Sequence, residues 1–259
     1  IRRISGGGTV FHDKGNLNFT FTRRMHGENL IDYRLHTQPI IDALEGLGIK
    51  ASLEGKNDLK VNSKKISGNA EHIFRKKVLH HGTLLFDSHL GLLNKLLKSP
   101  NSKAYKGKSM PSNPSEVGNI SQYIPYPFDF NSFRDKLTHH LLKNFPGIEH
   151  YKFSNDDKKK IKELAKAKYE KDEWNYGYSP DYEFSNEIKG YQINLSIKKG
   201  LIQTAEIIFK NTRLHNLEAF LINQPHTPEG LEKLVDMHDD FDVLATGFPH
   251  NDEIIKCFF

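Results

Sequence analysis

Hydrophobic and polar positions alternate most regularly near the C-terminus. Tyr191, Ile193, Leu195 and Ile197 alternate with polar residues, Lys199-Gly200 makes a turn, and Thr204–Phe209 resumes the apolar pattern, which predicts a β-hairpin. Val78 to Phe86 predicts a further strand, interrupted by His80-His81-Gly82. Helical spacing appears in four places. Ile40, Ile41, Leu44 and Leu47 form one face that starts near Thr37-Gln38-Pro39 and stops at Gly48. Phe133, Leu137 and Leu141 follow Asp129 and run to Pro146-Gly147. Ser154, three residues before Asp157, opens a Lys-rich run to Lys171, as a capping box does. Thr227-Pro228-Glu229 opens a helix carrying Leu231, Leu234 and Val235. Thr9-Val10-Phe11 reads as the start of a strand, and Ser99–Pro127, rich in Ser, Pro, Asn, Gly and Lys, as a long loop.

Composition narrows the class. A chain of 259 residues with 27% charged and 11% aromatic residues suits a folded protein of one large domain, or a large and a small one. No apolar stretch reaches the roughly 18 residues that cross a membrane, and no signal peptide is evident. The single cysteine, Cys257, forbids an internal disulfide, excludes sites built on two thiolates, and points to a cytoplasmic location. The net charge of +5 divides into +9 over residues 1–184 and −4 over residues 185–259. With the change of pattern after Trp174–Pro180, this predicts domains of 1–184 and 185–259. The chain opens at Ile1 rather than Met, directly inside Arg2-Arg3-Ile4-Ser5-Gly6-Gly7-Gly8, and reads as starting part-way into a longer protein.

Four segments carry candidate chemistry. In Arg2–Asn16, three successive glycines permit positive φ and close backbone approach, and their N–H groups with the Arg3 fork suit an anion. A glycine turn with solvated arginines is the alternative. In Gly55–Leu59, Asn57 and Asp58 are oxygen ligands suited to magnesium or a ribose, or form an ordinary tight turn. In Lys64–Ala70, a lysine beside a small-residue turn either carries its ammonium into a site or lies exposed at a strand end. In His80–Thr83, neighbouring side chains of a strand face opposite ways, so one histidine at most faces a given site, and no third metal ligand stands at a recognisable spacing. The basic run Lys158–Lys171 lacks interleaved aromatics and reads as a solvated helix face, not a nucleic-acid platform.

Taken in order, Arg2–Asn16, Gly55–Leu59, Lys65–Ala70 and His80–Leu85 resemble the RRxSGGGxVFHDxGN, GxNDL, K-[IV]-S-G-x-A and HHGTLL motifs of the lipoate–protein ligases. The resemblance implies an α+β catalytic domain of the class II synthetase and biotin-ligase kind, with a small α/β accessory domain, and a family N-terminal portion upstream of Ile1. It implies activation of lipoate by ATP and Mg2+ to lipoyl-AMP. Transfer to a lysine of a lipoyl domain in a 2-oxoacid dehydrogenase, or of a glycine-cleavage H protein, then follows. No nucleic acid or membrane is involved. By the same resemblance, Lys65 is the catalytic lysine, contacting the lipoyl carbonyl and the α-phosphate. Arg3, Ser5, Gly6, Gly7, Gly8, Thr9, Val10, Phe11 and His12 hold the nucleotide, Asn57 and Asp58 lie near the adenylate and its magnesium, and His81 and Gly82 line the pocket.

One segment departs from the family. Lys106–Ile120 reads KGKSMPSNPSEVGNI where ligases carry a KGxxSVRSRVxNL-like loop, which leaves room for a lipoyl or octanoyl transferase without its own adenylation step. The related octanoyltransferases use a cysteine nucleophile, and Cys257 stands two residues from the end of the chain, outside the expected catalytic domain. A non-catalytic nucleotide- or lipoyl-domain-binding module is the reading from another class.

Overall fold

The computed structural model describes residues 1–24, 31–97, 104–107, 115–145, 147–237 and 257–259. Two compact units emerge, one of Arg3–Lys98 and Met110–Lys152, the other of Ile1–Arg2, Ser99–Ser109 and Phe153–Phe259. The boundary expected at 184/185 falls inside strand β7 (Tyr182–Ile188), because Phe184 is fully buried in the second unit's core. Trp174–Pro180, expected at a domain edge, lies within that unit. The Trp174 indole is buried and donates to Arg2 O at 2.9 Å.

The first unit is an antiparallel five-stranded sheet in the order β1-β5-β4-β3-β2. Its strands are β1 (Asn16–Arg24), β2 (Ser52–Glu54), β3 (Asp58–Val61), β4 (Lys64–Phe74) and β5 (Lys77–Leu85). One face packs on α1 (Tyr33–Glu45) and α3 (Phe130–Asn144), burying Ile40, Leu44, Leu59, Ile66, Leu84 and Phe133; α2 is Leu90–Leu97. The α3 cap is as expected, with Asp129 accepting from Ser132 N at 2.8 Å. By contrast, α1 starts a turn earlier than Thr37. Asp32 is its cap, and Pro39 lies inside. Thr37 Oγ1 donates back to Tyr33 O at 2.8 Å, and burial of Thr37, Ile40 and Leu44 outweighs the hydrogen bond that Pro39 withholds.

Thr9–Phe11 is not a strand; β1 begins at Asn16. Arg3 occupies the Gly6 and Gly8 carbonyls before it, and Asp13 turns the chain by accepting from Gly15 N at 2.9 Å and His89 N at 2.7 Å. The stretch expected as one long loop contains β6 (Tyr105–Gly107), a Lys65–Val117 bridge and a short 3-10 helix at Ile120–Tyr123 with Ile120 buried. Residues 108–114, the heart of the divergent segment, lie outside the described residues, as does Pro146.

The second unit is another antiparallel five-stranded sheet, β10-β9-β8-β7-β6. Here β8 is Tyr191–Lys198, β9 Leu201–Phe209 and β10 Thr212–Arg213. The expected hairpin is present, and Tyr191, Ile193, Leu195 and Ile197 are all buried. Helices α5 (His215–Leu221) and α6 (Pro228–Met237) pair with this sheet, so the unit expected as α/β is of the α+β kind, like the first. Thr227 caps α6 through Gly230 N at 3.0 Å, and the Ser154–Asp157 capping box opens α4 (Asn155–Leu164). Among the described residues no helix is long and apolar enough to cross a membrane.

Candidate active site on the first sheet

Cross-strand partners of an antiparallel sheet point to the same side. Asp58 pairs with Gly68, and Ala70 with His81, which pairs in turn with Thr20. These positions alternate with the buried face and so share the side away from α1. Asp58 opens β3 directly after the Gly55-Lys56-Asn57 turn, and Lys65 stands near the start of β4. The Lys65 ammonium is 2.7 Å from Asp58 Oδ1, and a Cβ on Gly68 would sit 3.3 Å from Lys65 Nζ. The Lys65 backbone is tied on both sides, its N–H to Glu116 O at 2.8 Å and its carbonyl to Gly118 N at 3.0 Å. The side chains of Lys65 and Asp58 are 25% and 15% exposed, so the pair is reachable by a ligand yet held in place.

The glycine loop supplies the second part. Arg3 Nε donates to Gly6 O at 3.1 Å and Nη2 to Gly8 O, wrapping the loop around the guanidinium. Gly7 has φ +109°, and a Cβ there would press on Arg3 Nη2. Ser5 Oγ hydrogen-bonds His81 Nε2. Burial, helped by the nearby Arg3 guanidinium, holds His81 below the ordinary imidazole range, which favours its neutral form. Gly6, Gly7, Thr9, Val10 and His12 are exposed and Gly8 and Phe11 half-buried; Asn16 Nδ2 donates to His12 Nδ1 at 2.9 Å.

Two expected residues play other parts, and Arg2, the neighbour of the expected Arg3, is held elsewhere. Arg2 is bound in the second unit, its Nη2 donating to Ser179 Oγ at 2.7 Å. Gly82, expected to line the pocket, lies on the buried face, where a Cβ would overlap Asn69 Oδ1 and the Phe19 ring. Asn57 faces its neighbours rather than a ligand. Its Nδ2 donates to Asn69 O, and its carbonyl accepts from Asn69 N and Nδ2, both at 3.0 Å. Asn69 thus clamps the turn that presents Asp58. Cys257 is 1% exposed in the second unit's core and unsuited to act as a nucleophile.

His80 and His81 diverge as strand geometry requires. His80 is fully buried against Glu71 and His36. Burial outweighs the adjacent carboxylate and holds His80 below the ordinary imidazole range. No spacing marks His36 and Glu71 as its partners, since 35 residues separate the two.

Residues 1–142 match the family described as the lipoyl protein ligase A/B catalytic domain. The chain is 36% identical over 249 residues to lipoate–protein ligase 1 of Staphylococcus aureus, covering 92% of this chain and 74% of the relative. It is 35% identical over 213 residues to lipoate–protein ligase LplJ of Bacillus subtilis, covering 80% of this chain and 64% of the relative. Among solved structures, P. falciparum LipL1 in complex with lipoate covers 98% of this chain and 75% of its own (TM-score 0.53, 23% identity). The bipartite ligase of Thermoplasma acidophilum covers 67% and 69% (TM-score 0.56, 24% identity). These structural likenesses establish the fold, and with the match over residues 1–142 and the two bacterial relatives, the chain belongs to the lipoate–protein ligase family.

Proposed function

We propose that this chain supplies the nucleotide-facing part of an ATP-dependent lipoate–protein ligase. A carboxylate is a poor electrophile. Its attack on the α-phosphorus of ATP, with loss of pyrophosphate, gives a mixed anhydride. The acceptor lysine's amine then attacks the acyl carbon, forming an amide and releasing AMP. The first step brings two anions together and the second expels AMP as an anion, so the protein's task is to position the reactants and offset negative charge. The observation that carries this reading is Lys65 held 2.7 Å from Asp58, on the sheet face that also bears His81. Lys65 is a compact point charge that a carboxylate and an α-phosphate can share, and Asp58 keeps it aimed until they arrive. Arg3 and the Gly6–Gly8 backbone offer donors to the phosphates, and neutral His81 with Ser5 borders them.

The partly exposed Asp58 carboxylate fits Mg2+ as one protein ligand, with phosphate oxygens and water completing the shell. Bound there, Mg2+ would neutralise phosphate charge. The acceptors we propose are lipoyl domains of 2-oxoacid dehydrogenases and the glycine-cleavage H protein, met by the basic residues 1–184. That the chain has a single cysteine, the buried Cys257, supports a cytoplasmic location.

The test supplies the full-length protein with lipoate, ATP, Mg2+ and a lipoyl-domain acceptor, and reads the acceptor's mass. Ligation predicts a lipoyl adduct that depends on ATP. An adduct from synthetic lipoyl-adenylate but never from ATP makes the protein a transferase, in line with its divergent 106–120 segment. Binding without an adduct from either donor makes it a binding module.

A further inference from the structure

The buried side of the same sheet carries a second polar group of residues. Glu71 on β4 and His80 on β5 are cross-strand partners, and His36 meets them from α1. Their side chains are 1%, 0% and 5% exposed. Glu71 Oε1 lies 2.9 Å from Nδ1 of both histidines. One ligand atom from each residue falls within 4.8 Å of the others.

The hydrogen bonds fix where protons sit. Asn69 Nδ2 donates to Asn57 O at 3.0 Å and to Ser67 Oγ at 3.2 Å, so Asn69 Oδ1 is the atom facing His80 Nε2, at 3.3 Å. His80 Nε2 therefore carries a proton. In the neutral ring Nδ1 is then a bare lone pair 2.9 Å from a carboxylate oxygen, an arrangement that requires a cation. His36 Nδ1 faces two acceptors, the same Glu71 Oε1 and Asp32 O, each at 2.9 Å. Glu71 Oε2 and His36 Nε2 are buried with no hydrogen-bond partner among the described residues. A proton on His80 answers the first demand and leaves the Glu71 Oε2 lone pairs unmet. A metal ion answers both, since it accepts a bidentate carboxylate.

We infer that His36, Glu71 and His80 form a buried site for a divalent first-row transition ion of the Zn2+ class, held by one ring nitrogen of each histidine and the Glu71 carboxylate. Two imidazoles and a carboxylate are a borderline-soft set that suits such ions over Mg2+ or Ca2+. The His80–Asn69 contact is the outer-shell bond that orients a ligating histidine. Because Asn69 also clamps the Asn57-Asp58 turn, the ion would brace the site face from below. The inference does not depend on the ligation reading.

The test strips the full-length protein with a chelator and titrates Zn2+ by calorimetry and Co2+ by visible absorption. One equivalent is expected, with tetrahedral-type Co2+ bands and a raised melting temperature. Glu71→Gln and His36→Gln should each weaken binding at least about 100-fold, and His72→Gln, outside the cluster, should leave it unchanged. Absence of stoichiometric uptake, or uptake that persists in Glu71→Gln, overturns the site in favour of a buried imidazolium–carboxylate pair. Should the variants fail to fold, X-ray absorption on the Zn2+-loaded wild type decides. Two imidazoles in the shell support the site, and any other count refutes it.

Discussion

The two sheets have the same strand number and are both antiparallel, yet only the first carries the candidate chemistry. In the second, the inward side chains of β8 are Tyr191 and the aliphatic Ile193, Leu195 and Ile197. Its buried polar groups close on one another: His226 lies between Tyr182 Oη at 2.7 Å and Phe258 O at 2.9 Å, and Glu218 takes Ile207 N and Arg213. In the first, β4 and β5 carry polar residues on both sides, Lys65 and His81 on one and Asn69, Glu71 and His80 on the other. Their topologies differ, with β1 pairing β5 in the first and the strands following sequence order in the second, but strand order does not make a site. The difference lies in polar side chains left able to meet something outside the protein, which is where function on a shared architecture must be sought.

The largest expected effect separates the sheets by chemistry. Lys65→Ala should lower kcat/KM for acceptor lipoylation by about 10³-fold or more, since it removes a charge acting on the transition state. Its melting temperature should stay within about 2 °C of wild type, because the side chain is partly exposed. Parallel losses of activity and stability would make Lys65 a structural residue.

Next comes a pH effect that belongs to the second unit. Burial pushes His226 down to about 4 from 6.5. The folded state thus binds fewer protons than the unfolded one between these values. Stability contributed by the neutral ring is full above about pH 6.5 and is lost as the pH falls towards 4, by of order 3 kcal/mol. Denaturant melts of wild type and His226→Phe from pH 7 to 4 check this. An equally steep acid slope in the variant would place the effect elsewhere.

Gly82→Ala should cost about 2 kcal/mol, because a Cβ overlaps Asn69 Oδ1 and the Phe19 ring. It should also loosen the Asn57-Asp58 turn through Asn69, raising the KM for ATP. A stability loss with KM unchanged would disconnect the buried face from the site face. The smallest effect is Ser154→Ala, which breaks the capping box of α4 and should cost about 1 kcal/mol with catalysis untouched.

Local rules read in the sequence located the hairpin β8–β9, the caps at Asp129, Ser154 and Thr227, and the β5 strand. Each is decided by residues a few positions apart. The start of α1 was misplaced because Pro39 reads as a helix opening, while burial of Thr37 against the sheet, a long-range effect, extends the helix past it. The early strand at Thr9–Phe11 failed because Arg3 and Asp13 take the backbone for turns. The four motifs brought Lys65 and Asp58 together, as the turn-and-strand spacing allows. The His36–Glu71–His80 group was hidden, since its members come from three elements and no spacing links them. The domain boundary followed charge, while packing joins residues 153–184 to the sheet that follows.

The central claim is that Lys65, aimed by Asp58, serves the activation of a carboxylate by ATP. Lipoate-dependent exchange of labelled pyrophosphate into ATP by the full-length protein tests this step without an acceptor. Wild type should exchange label only when lipoate is present, and folded Lys65→Ala should not. Exchange at the wild-type rate in Lys65→Ala would contradict the account.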